Sequence, residues 1–249
     1  MKRDIVTSII GIIVFTILLG LVYPLAITGI SQVAFPGDAN GQKLYVDGKL
    51  VGSKIIGQSF STPVLGKNGK PEEAEHVEVT KPDPIYFQSR PSATEGVPDN
   101  AAASTFSNHG PNSVKTEEAD VEHICDYLAL NEPEASAKEI CEHLAKNEST
   151  ALKKEYDPGL TVAKIPVDAV NSSASGLDPE ISKANAWIQA HRVAAVRRLP
   201  LATVDGLIAK YTSGRGLGFS GEPGVNVLEL NLALDRGHTG RSPGSGGTG

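Results

Sequence analysis

The chain has 249 residues and a formal net charge of -6, with 40% hydrophobic and 21% charged residues. An acidic chain without a basic stripe is poorly suited to neutralising phosphates, so we exclude nucleic acid as a partner. Its length is sufficient for one folded core.

The N-terminal segment from Ile5 to Ile30 carries no charged side chain. A helix rises ~1.5 Å per residue, so Ile5–Tyr23 alone covers the ~30 Å hydrocarbon core of a bilayer. We therefore predict a single transmembrane α-helix in contact with the lipid bilayer. The anchor positions of this prediction are Ile5, Ile12, Phe15, Leu19, Tyr23 and Pro24.

Charge asymmetry predicts the orientation of this helix. Lys2 and Arg3 precede it, and the next basic residue is Lys43. Basic residues flanking a membrane helix favour the cytoplasmic side. We therefore predict a single-pass protein of the cytoplasmic (inner) membrane, with its N-terminus in the cytoplasm and its main domain outside, or periplasmic. A cleaved signal peptide, with a small-residue site near Ala34, is the alternative, but the apolar run is long for one.

Turn residues organise the next part of the chain. Asp47-Gly48, between two strand-like runs in residues 42–56, is typical of a β-hairpin. Residues 61–84 are rich in proline and glycine, so we predict a surface loop. Residues 85–87 are predicted to form a short strand. Residues 92–113 are small and polar, and we expect them to wrap over a core formed by other segments of the chain.

A charged, helix-prone region follows at residues 117–155. The run from Ile124 to Glu132 resembles the run from Ile140 to Glu148, and Pro133 separates them. Apolar residues form a stripe on each run, so we predict two short amphipathic helices.

Two further helices are predicted near the C-terminus. Asp178 is a candidate N-cap, with Pro179 in the first helical position, and the helix is expected to end near Arg198. A second helix is predicted over Thr203–Tyr211.

The last elements are a turn, a strand and a tail. Gly214–Gly224 is predicted to be a turn, and the alternating leucines of Val225–Leu234 predict a half-buried strand. Residues 236–249 are rich in glycine and serine and are predicted to be a flexible tail. The fold class is therefore a single N-terminal transmembrane α-helix plus an α/β (α+β) extracytoplasmic domain.

Two cysteines and two histidines are arranged as His123-x-Cys125 and Cys141-x-His143. Zinc can use two Cys and two His ligands, but positions i and i+2 of a helix point away from each other. We expect buried free thiols here; a disulfide and a metal site remain as alternatives.

No catalytic group is assigned. Ser173, Ser175, Asp178 and His191 include the residue types of a nucleophilic triad, but no nucleophile-elbow pattern surrounds either serine. The glycine-rich run Gly214–Gly221 follows a helix and precedes a strand, which is the reverse of a phosphate-binding fingerprint. These features favour an accessory or docking subunit over an enzyme.

Several motifs resemble those of one family. They are Tyr23-Pro24-Leu25, Phe35-Pro36, Gly57-Gln58 with Phe60, Tyr86-Phe87-x-x-Arg90-Pro91-Ser92-Ala93, Ser107-Asn108-x-Gly110-Pro111, Val167-Asp168-x-Val170, Ser173-Ala174-Ser175-Gly176-Leu177-Asp178-Pro179-x-Ile181-Ser182, Gln189 with Arg192-Val193-Ala194, and Gly221-Glu222-Pro223-x-Val225-Asn226-Val227-Leu228-x-Leu230-Asn231. With these blocks the sequence resembles the KdpC family, the C subunits of bacterial Kdp potassium-transporting P-type ATPases.

The resemblance implies a function and partners. Kdp complexes take up K⁺ using ATP, with a KdpA-like channel subunit and a KdpB-like P-type ATPase subunit. The C subunit is needed for assembly and activity, and is described as a catalytic chaperone that raises the ATP affinity of the B subunit. ATP is therefore the one cofactor that the resemblance implies. A membrane-anchored extracytoplasmic solute-binding or sensor module, and an anchored hydrolase, are the alternatives.

The predicted domains are the cytoplasmic N-terminus and anchor at 1–30, a KdpC-like domain at 31–235, and the tail. Residues 114–165 form a longer, more charged helical insertion than the family pattern suggests. We predict that the outer domain covers or braces the ion entrance. Residues expected to serve partner contact or fold maintenance are Tyr86, Arg90, Ser107, Asn108, Ser175, Asp178 and Gln189.

Overall fold

The structure, a computed structural model, divides into two compact units, Met1–Ile55 and Ile56–Gly249. It describes residues 2–66, 69–74, 77–78, 80–91, 114–131, 141–142, 165–171, 173, 175–216 and 218–237. The predictions for residues 92–113, for most of the second amphipathic helix, and for nearly all of the tail lie outside these ranges.

The first unit begins with one apolar helix, Lys2–Ala34, which is long and apolar enough to cross a membrane. It consists of α1 (Lys2–Ile17), a π-helical turn (Leu18–Val22) and α2 (Tyr23–Ala34). The wide turn ends two residues before Pro24, whose ring clashes with the carbonyl four residues earlier in a regular α-helix. The helix therefore continues past this proline. All the predicted anchor residues are exposed on its surface.

A short helix and the predicted hairpin complete this unit. Helix α3 spans Pro36–Ala39, and strands β1 (Lys43–Val46) and β2 (Lys49–Ser53) pair antiparallel. Asp47 and Gly48 have φ values of 50° and 78°. A two-residue hairpin turn of this hand requires such positive values at both positions, which confirms the prediction made from this dipeptide.

The second unit begins with small antiparallel pairs. Strand β3 (Ser61–Pro63) pairs with β6 (Thr80–Pro82), and β4 (Glu73–Ala74) pairs with β5 (Val77–Glu78). The prediction of a plain surface loop over residues 61–84 is therefore wrong in part, because its prolines and glycines separate short strands.

A three-stranded antiparallel sheet and three helices enclose the core of this unit. The sheet order is β7 (Glu180–Ser182), β9 (Gly224–Asn226) and β8 (Thr212–Ser213). The helices are α6 (Lys183–Arg197), α7 (Leu201–Lys210) and α8 (Val227–Arg236). The fully buried core residues are Phe87, Ala186, Ala190, Val193, Val204, Val225, Leu230 and Leu234. This mixed helix and sheet unit matches the predicted α/β (α+β) class.

The strand predicted over Val225–Leu234 is wrong beyond Asn226. The side chain of Asn226 accepts a hydrogen bond from the backbone N–H of Glu229, and so caps the start of α8. The residues that α8 buries recur at intervals of three and four positions and share one face of the helix, whereas Leu232 is only partly buried. Leucines at every second position fit a strand, but the same segment also carries this helical face. The residues buried on α8 are Val227, Leu228, Leu230, Asn231 and Leu234.

The start of α6 also differs from the prediction. The helix begins at Lys183, and Ser182 rather than Asp178 is its N-cap, accepting a hydrogen bond from the N–H of Asn185. The residues between Pro179 and the helix form strand β7. The predicted end is confirmed, because Arg198 takes the left-handed conformation typical of a residue that ends a helix. The second predicted helix is also confirmed, as α7.

The charged region contains helix α4 (Val114–Asn131) and, before the sheet, helix α5 (Val167–Val170). Tyr127 of α4 packs against Ala169 and Val170 of α5 in a small second core. Cys125 of α4 forms a disulfide with Cys141, with the two Cα atoms 5.5 Å apart. The expectation of free thiols is therefore wrong, because the fold brings together two cysteines that are 16 positions apart.

Candidate functional site

The segment Pro84–Gln88 lies between two helices, and we call it the clamped segment. Asn231 of α8 accepts a hydrogen bond from the N–H of Phe87 and donates one to its carbonyl, both at 2.9 Å. Gln189 of α6 accepts from the N–H of Gln88 at 2.8 Å and donates to its carbonyl at 3.1 Å. Two amide side chains thus take the place of a neighbouring strand. The strand predicted at residues 85–87 is wrong for this reason.

Two arginines of α6 bind the other carbonyls of the clamped segment. Arg192 donates to the carbonyls of Pro84 and Tyr86, and Arg197 donates to that of Ile85 at 2.7 Å. Every carbonyl from Pro84 to Gln88 therefore accepts a hydrogen bond from a side chain. Burial lowers the pKa of the Arg192 guanidinium to about 10. Its hydrogen bonds compensate for part of the cost of burying a charge.

Tyr86 is held at the edge of this arrangement. Its hydroxyl donates to Asp235 at 3.1 Å, and its ring lies 5.3 Å from that of Phe60. The guanidinium of Arg197 lies 4.9 Å from the Tyr86 ring centre and 2.9 Å from Asp235. Burial, and then the Asp235 carboxylate, raise the pKa of the Tyr86 phenol. The contacts of Tyr86 therefore join the clamped segment to α6 and α8.

A buried polar network extends from Gln189 to helix α4. Gln189 is 1% exposed and also bonds Asn185 and Arg192, each at 2.9 Å. Tyr127 donates its hydroxyl proton to Asn185 at 3.0 Å, and burial raises the pKa of this phenol. Asp168 accepts from the Asn185 side chain at 3.1 Å. The predicted residue Gln189 thus lies inside the fold, where it maintains structure.

Arg90 and Asp178, two predicted residues, meet at a partly exposed corner. An Arg90 nitrogen lies 2.6 Å from an Asp178 carboxylate oxygen, with side-chain exposures of 28% and 40%. Arg90 also donates to the carbonyl of Asn171 at 3.3 Å. The carboxylate of Asp178 therefore makes an ion pair across the fold rather than capping a helix. Partial exposure limits the contribution of this pair to stability.

Backbone bonds bring more of the sequence motifs to this corner. The N–H of Gly57 donates to Leu177 at 2.8 Å, and the N–H of Ser173 donates to Pro91 at 2.8 Å. A Cβ atom at Gly57 would lie 2.4 Å from the carbonyl oxygen of Asp178. Only glycine fits such a close approach of two chain segments.

Ser175 takes part in the turn beside this corner. Its hydroxyl lies 3.2 Å from that of Ser173 and accepts from the N–H of Leu177 at 3.2 Å. The hydroxyl of Ser173 in turn accepts from the N–H of Gly176. These are turn-forming bonds. His191, the other residue considered for a triad, is exposed on α6.

The predicted site residues therefore occupy different environments in the structure. Gln189 binds the clamped segment, Tyr86 belongs to that segment, Arg90 pairs with Asp178, and Ser175 shapes a turn. Ser107 and Asn108 lie outside the described residues, and so does His143. Within the described part of the chain, no three His, Cys, Asp or Glu residues are grouped to hold a metal ion.

Among the network residues to which sequence reasoning assigned no role at this site are Asn231, Asn185, Arg192 and Arg197. Asn231 and Asn185 are fully or nearly fully buried, and Arg197 bonds the clamped segment. The available signal was a polar residue at a position where the helical period requires an apolar one. Asn231 occupies such a position on α8.

The comparisons with known proteins agree with this arrangement of motifs. A family model described as "KdpC: K+-transporting ATPase, c chain" matches residues 5–236. Relatives named potassium-transporting ATPase KdpC subunit include those of three bacteria. In Herminiimonas arsenicoxydans the relative is 39% identical over 96% of this chain and 100% of its own length.

The other two relatives match over similar lengths. That of Methylococcus capsulatus is 40% identical over 92% of this chain and 95% of its own length. That of Mycobacterium tuberculosis is 39% identical over 95% of this chain and 100% of its own length. These matches give no support to a solute-binding or sensor module. The chain therefore belongs to the KdpC family, the c chain of the K⁺-transporting ATPase and an accessory subunit of the Kdp complex.

Proposed function

We propose that this chain anchors an extracytoplasmic domain that braces the ion-entry side of a KdpA-like channel subunit, next to a KdpB-like ATPase subunit. The observation that carries the proposal is the family match, which covers both the apolar helix and the folded domain. The helix and the domain thus belong together in one accessory subunit of a potassium-uptake complex.

Two features support placing the domain outside the cytoplasm. Lys2 and Arg3 lie at the N-terminal end of the apolar helix, the next basic residue is Lys43, and basic residues favour the cytoplasmic side. The Cys125–Cys141 disulfide suits an oxidising compartment, whereas cytoplasmic thiols are kept reduced. Both features favour a cytoplasmic N-terminus and an outer domain.

The helix supplies a surface for packing in the membrane. One face of the helix carries Ser8, Gly11, Ile12, Phe15, Thr16, Leu19 and Gly20. Small residues let two membrane helices approach closely. No residue of the helix is buried within the chain, and we assign this face to the channel subunit because it carries small residues such as Gly11 and Gly20.

The domain suits a bracing role. The polar groups of the clamped segment are used internally, which makes the segment a rigid support. In this arrangement ATP binds to the KdpB-like subunit on the cytoplasmic side. This chain then raises the ATP affinity of that subunit indirectly, through its contacts with the complex.

Affinity purification tests the proposal. A tag on this chain should recover the channel and ATPase subunits together from detergent-solubilised membranes. A control variant carries a cleavable secretion signal in place of residues 2–34, and should recover much less of both. Recovery of the tagged full-length chain alone would contradict the proposal. The KM for ATP, measured with and without this chain, tests the indirect effect on nucleotide affinity.

A further inference from the structure

The apolar helix Lys2–Ala34 is about as long as a complete bilayer. Its 33 residues rise ~1.5 Å each, which gives a length of ~50 Å, whereas a bilayer with its headgroups is ~40–45 Å thick. No charged residue occurs between Asp4 and Asp38. A moderate tilt, which is common for membrane helices, absorbs the difference in length. When the basic N-terminus lies at one surface of the bilayer, Ala34 therefore lies at the headgroup level of the other.

Hydrogen bonds fold the chain back onto the end of this helix. The side chain of Asn40 donates to that of Gln32 at 3.0 Å. The N–H of Gln42 donates to the carbonyl of Gly37 at 2.9 Å. The hairpin of β1 and β2, residues 43–53, begins directly after these bonds. Its base is therefore held close to the last turn of the membrane helix.

The second strand of the hairpin returns to the same place. The hydroxyl of Ser53 donates to the carbonyl of Gly41 at 2.6 Å, and the N–H of Lys54 donates to that of Gln42 at 3.1 Å. All these residues belong to the compact unit Met1–Ile55. Strands of four and five residues reach ~15 Å at ~3.3 Å per residue. The whole hairpin thus lies near the headgroup level at which the helix ends.

One face of the hairpin carries two exposed apolar side chains. Tyr45 and Leu50 are cross-strand partners, and residues directly opposite each other point to the same face. They are 54% and 58% exposed, whereas Leu44 and Val46, on the other face, are half-buried. No described residue of Met1–Ile55 is fully buried. A two-stranded hairpin without a core is marginally stable in water, so this face needs a surface to lie against.

The composition of this face fits a lipid surface. Tyrosine is enriched at membrane–water interfaces, because its ring is apolar and its hydroxyl polar. Lys43 is exposed two positions before Tyr45 on the same strand, and therefore on the same face. A lysine stem can lie along apolar surface while the ammonium group stays in water. Residues 36–55 contain three lysines and two aspartates, so this segment is basic in an acidic chain, and anionic headgroups attract it.

We propose that this hairpin lies on the bilayer surface beside the membrane helix, with Tyr45 and Leu50 inserted at headgroup level. The inference goes beyond the proposed function and rests on it only in requiring that the helix span the bilayer. A single helix leaves a chain free to rotate about the helix axis. A second membrane contact removes this freedom, and so fixes which face of the helix is presented to a partner.

Quenching by brominated lipids tests the contact of Leu50. The full-length chain carries Trp187→Phe, which removes its single tryptophan, together with Leu50→Trp. It is reconstituted in vesicles of phosphatidylethanolamine and phosphatidylglycerol. Lipids brominated at the headgroup end of their acyl chains should remove most of the fluorescence. Lys49→Trp, an exposed position on the opposite face of the hairpin, is the matched control and should lose little. Equal quenching at both positions, or none at position 50, would overturn the proposal.

Photo-crosslinking at Tyr45 repeats the test in the assembled complex. Tyr45 is replaced by p-benzoylphenylalanine in the full-length chain, and the control carries the same group at Lys49. We expect position 45 to cross-link to lipid, seen as an increase in the mass of the chain, and position 49 to give no lipid adduct. A cross-link from position 45 to a polytopic subunit, or no cross-link, would overturn the proposal. The tagged chain would still recover its partners in that case, so this failure is distinct from a failure of the proposed function.

The fold of these variants is checked by thermal unfolding in detergent. Tyr45 and Leu50 are exposed, so their replacement should leave the unfolding midpoint of the full-length chain close to that of the wild type. Lipid contact at both positions with an unchanged midpoint is the result expected. A large fall in the midpoint with either variant would assign this face to the fold of the chain and contradict its contact with lipid.

Discussion

Replacing Asn231 with leucine removes the side chain that bonds both backbone groups of Phe87, with little change in volume. Asn231 and Phe87 are both 0% exposed, and the two hydrogen bonds are each 2.9 Å long. Leucine leaves the N–H and the carbonyl of Phe87 buried without a partner. Each such group costs ~1–3 kcal/mol, so we expect the free energy of unfolding to fall by ~2–6 kcal/mol.

Thermal unfolding of the full-length chain in detergent measures this loss. The single tryptophan, Trp187, lies on α6 and reports on the folded unit by its fluorescence. For a chain of this size, ~1 kcal/mol corresponds to a shift in the unfolding temperature of ~2–4 °C. Asn231→Leu should therefore lower the unfolding temperature by ~4 °C at the least, and by up to ~24 °C.

The control for this experiment is His191→Leu, the same kind of exchange at an exposed position of α6. Surface substitutions usually change stability by less than ~0.5 kcal/mol. If Asn231→Leu also stayed within ~1 kcal/mol of the wild-type chain, the backbone groups of Phe87 would have other partners. The account of the clamped segment would then be refuted.

Three further predictions concern other parts of the fold. Gly57→Ala should lower the unfolding temperature because its Cβ has no space, whereas Gly206→Ala, in open space on α7, should raise stability by ~0.5–1 kcal/mol. Reducing the Cys125–Cys141 disulfide, a separation of 16 residues, should cost ~3 kcal/mol in a denaturant titration; an unchanged midpoint would contradict this. Burial raises the pKa of Tyr127 above its ordinary value of 10.0, so the unfolded chain releases a proton that the folded chain retains. Stability should therefore fall as the pH rises above ~10, and by less in Tyr127→Phe; equal slopes in the two proteins would refute this assignment.

Elements with strong local signals were predictable from the sequence. The apolar run predicts the N-terminal helix because only a helix satisfies its own backbone in lipid. Asp47-Gly48 predicts the hairpin because its turn needs two positive φ angles. Arg198, in a basic stretch before Pro200, correctly marks the end of α6.

Elements that depend on distant partners were not predictable. Residues 85–87 look like a strand, but their hydrogen-bond partners are side chains on helices more than 100 positions later. The apolar residues of Val225–Leu234 fit both the two-residue period of a strand and the 3.6-residue period of a helix, and the capping hydrogen bond of Asn226 favours the helix. The ion pair of Arg90 and Asp178 joins positions 88 apart, so neither residue alone indicates the other.

The candidate site was also predictable only in part, because its residues depend on partners that are distant in the sequence. Tyr86 and Gln189 were singled out through the family resemblance, and the structure places both in one hydrogen-bonded arrangement. Asn231 completes that arrangement, but sequence reasoning assigned no role to it. An asparagine within an apolar run does not indicate which backbone groups its side chain binds. Burial of a polar group becomes visible only in three dimensions.

The side of the membrane on which the domain lies is the most direct test of the account. A reporter is fused to the C-terminus of the full-length chain, either alkaline phosphatase, which is active only outside the cytoplasm, or a fluorescent protein that matures only inside it. The account predicts phosphatase activity without fluorescence. Fluorescence without phosphatase activity would place the domain beside the ATP-hydrolysing machinery and contradict the bracing of the ion-entry side.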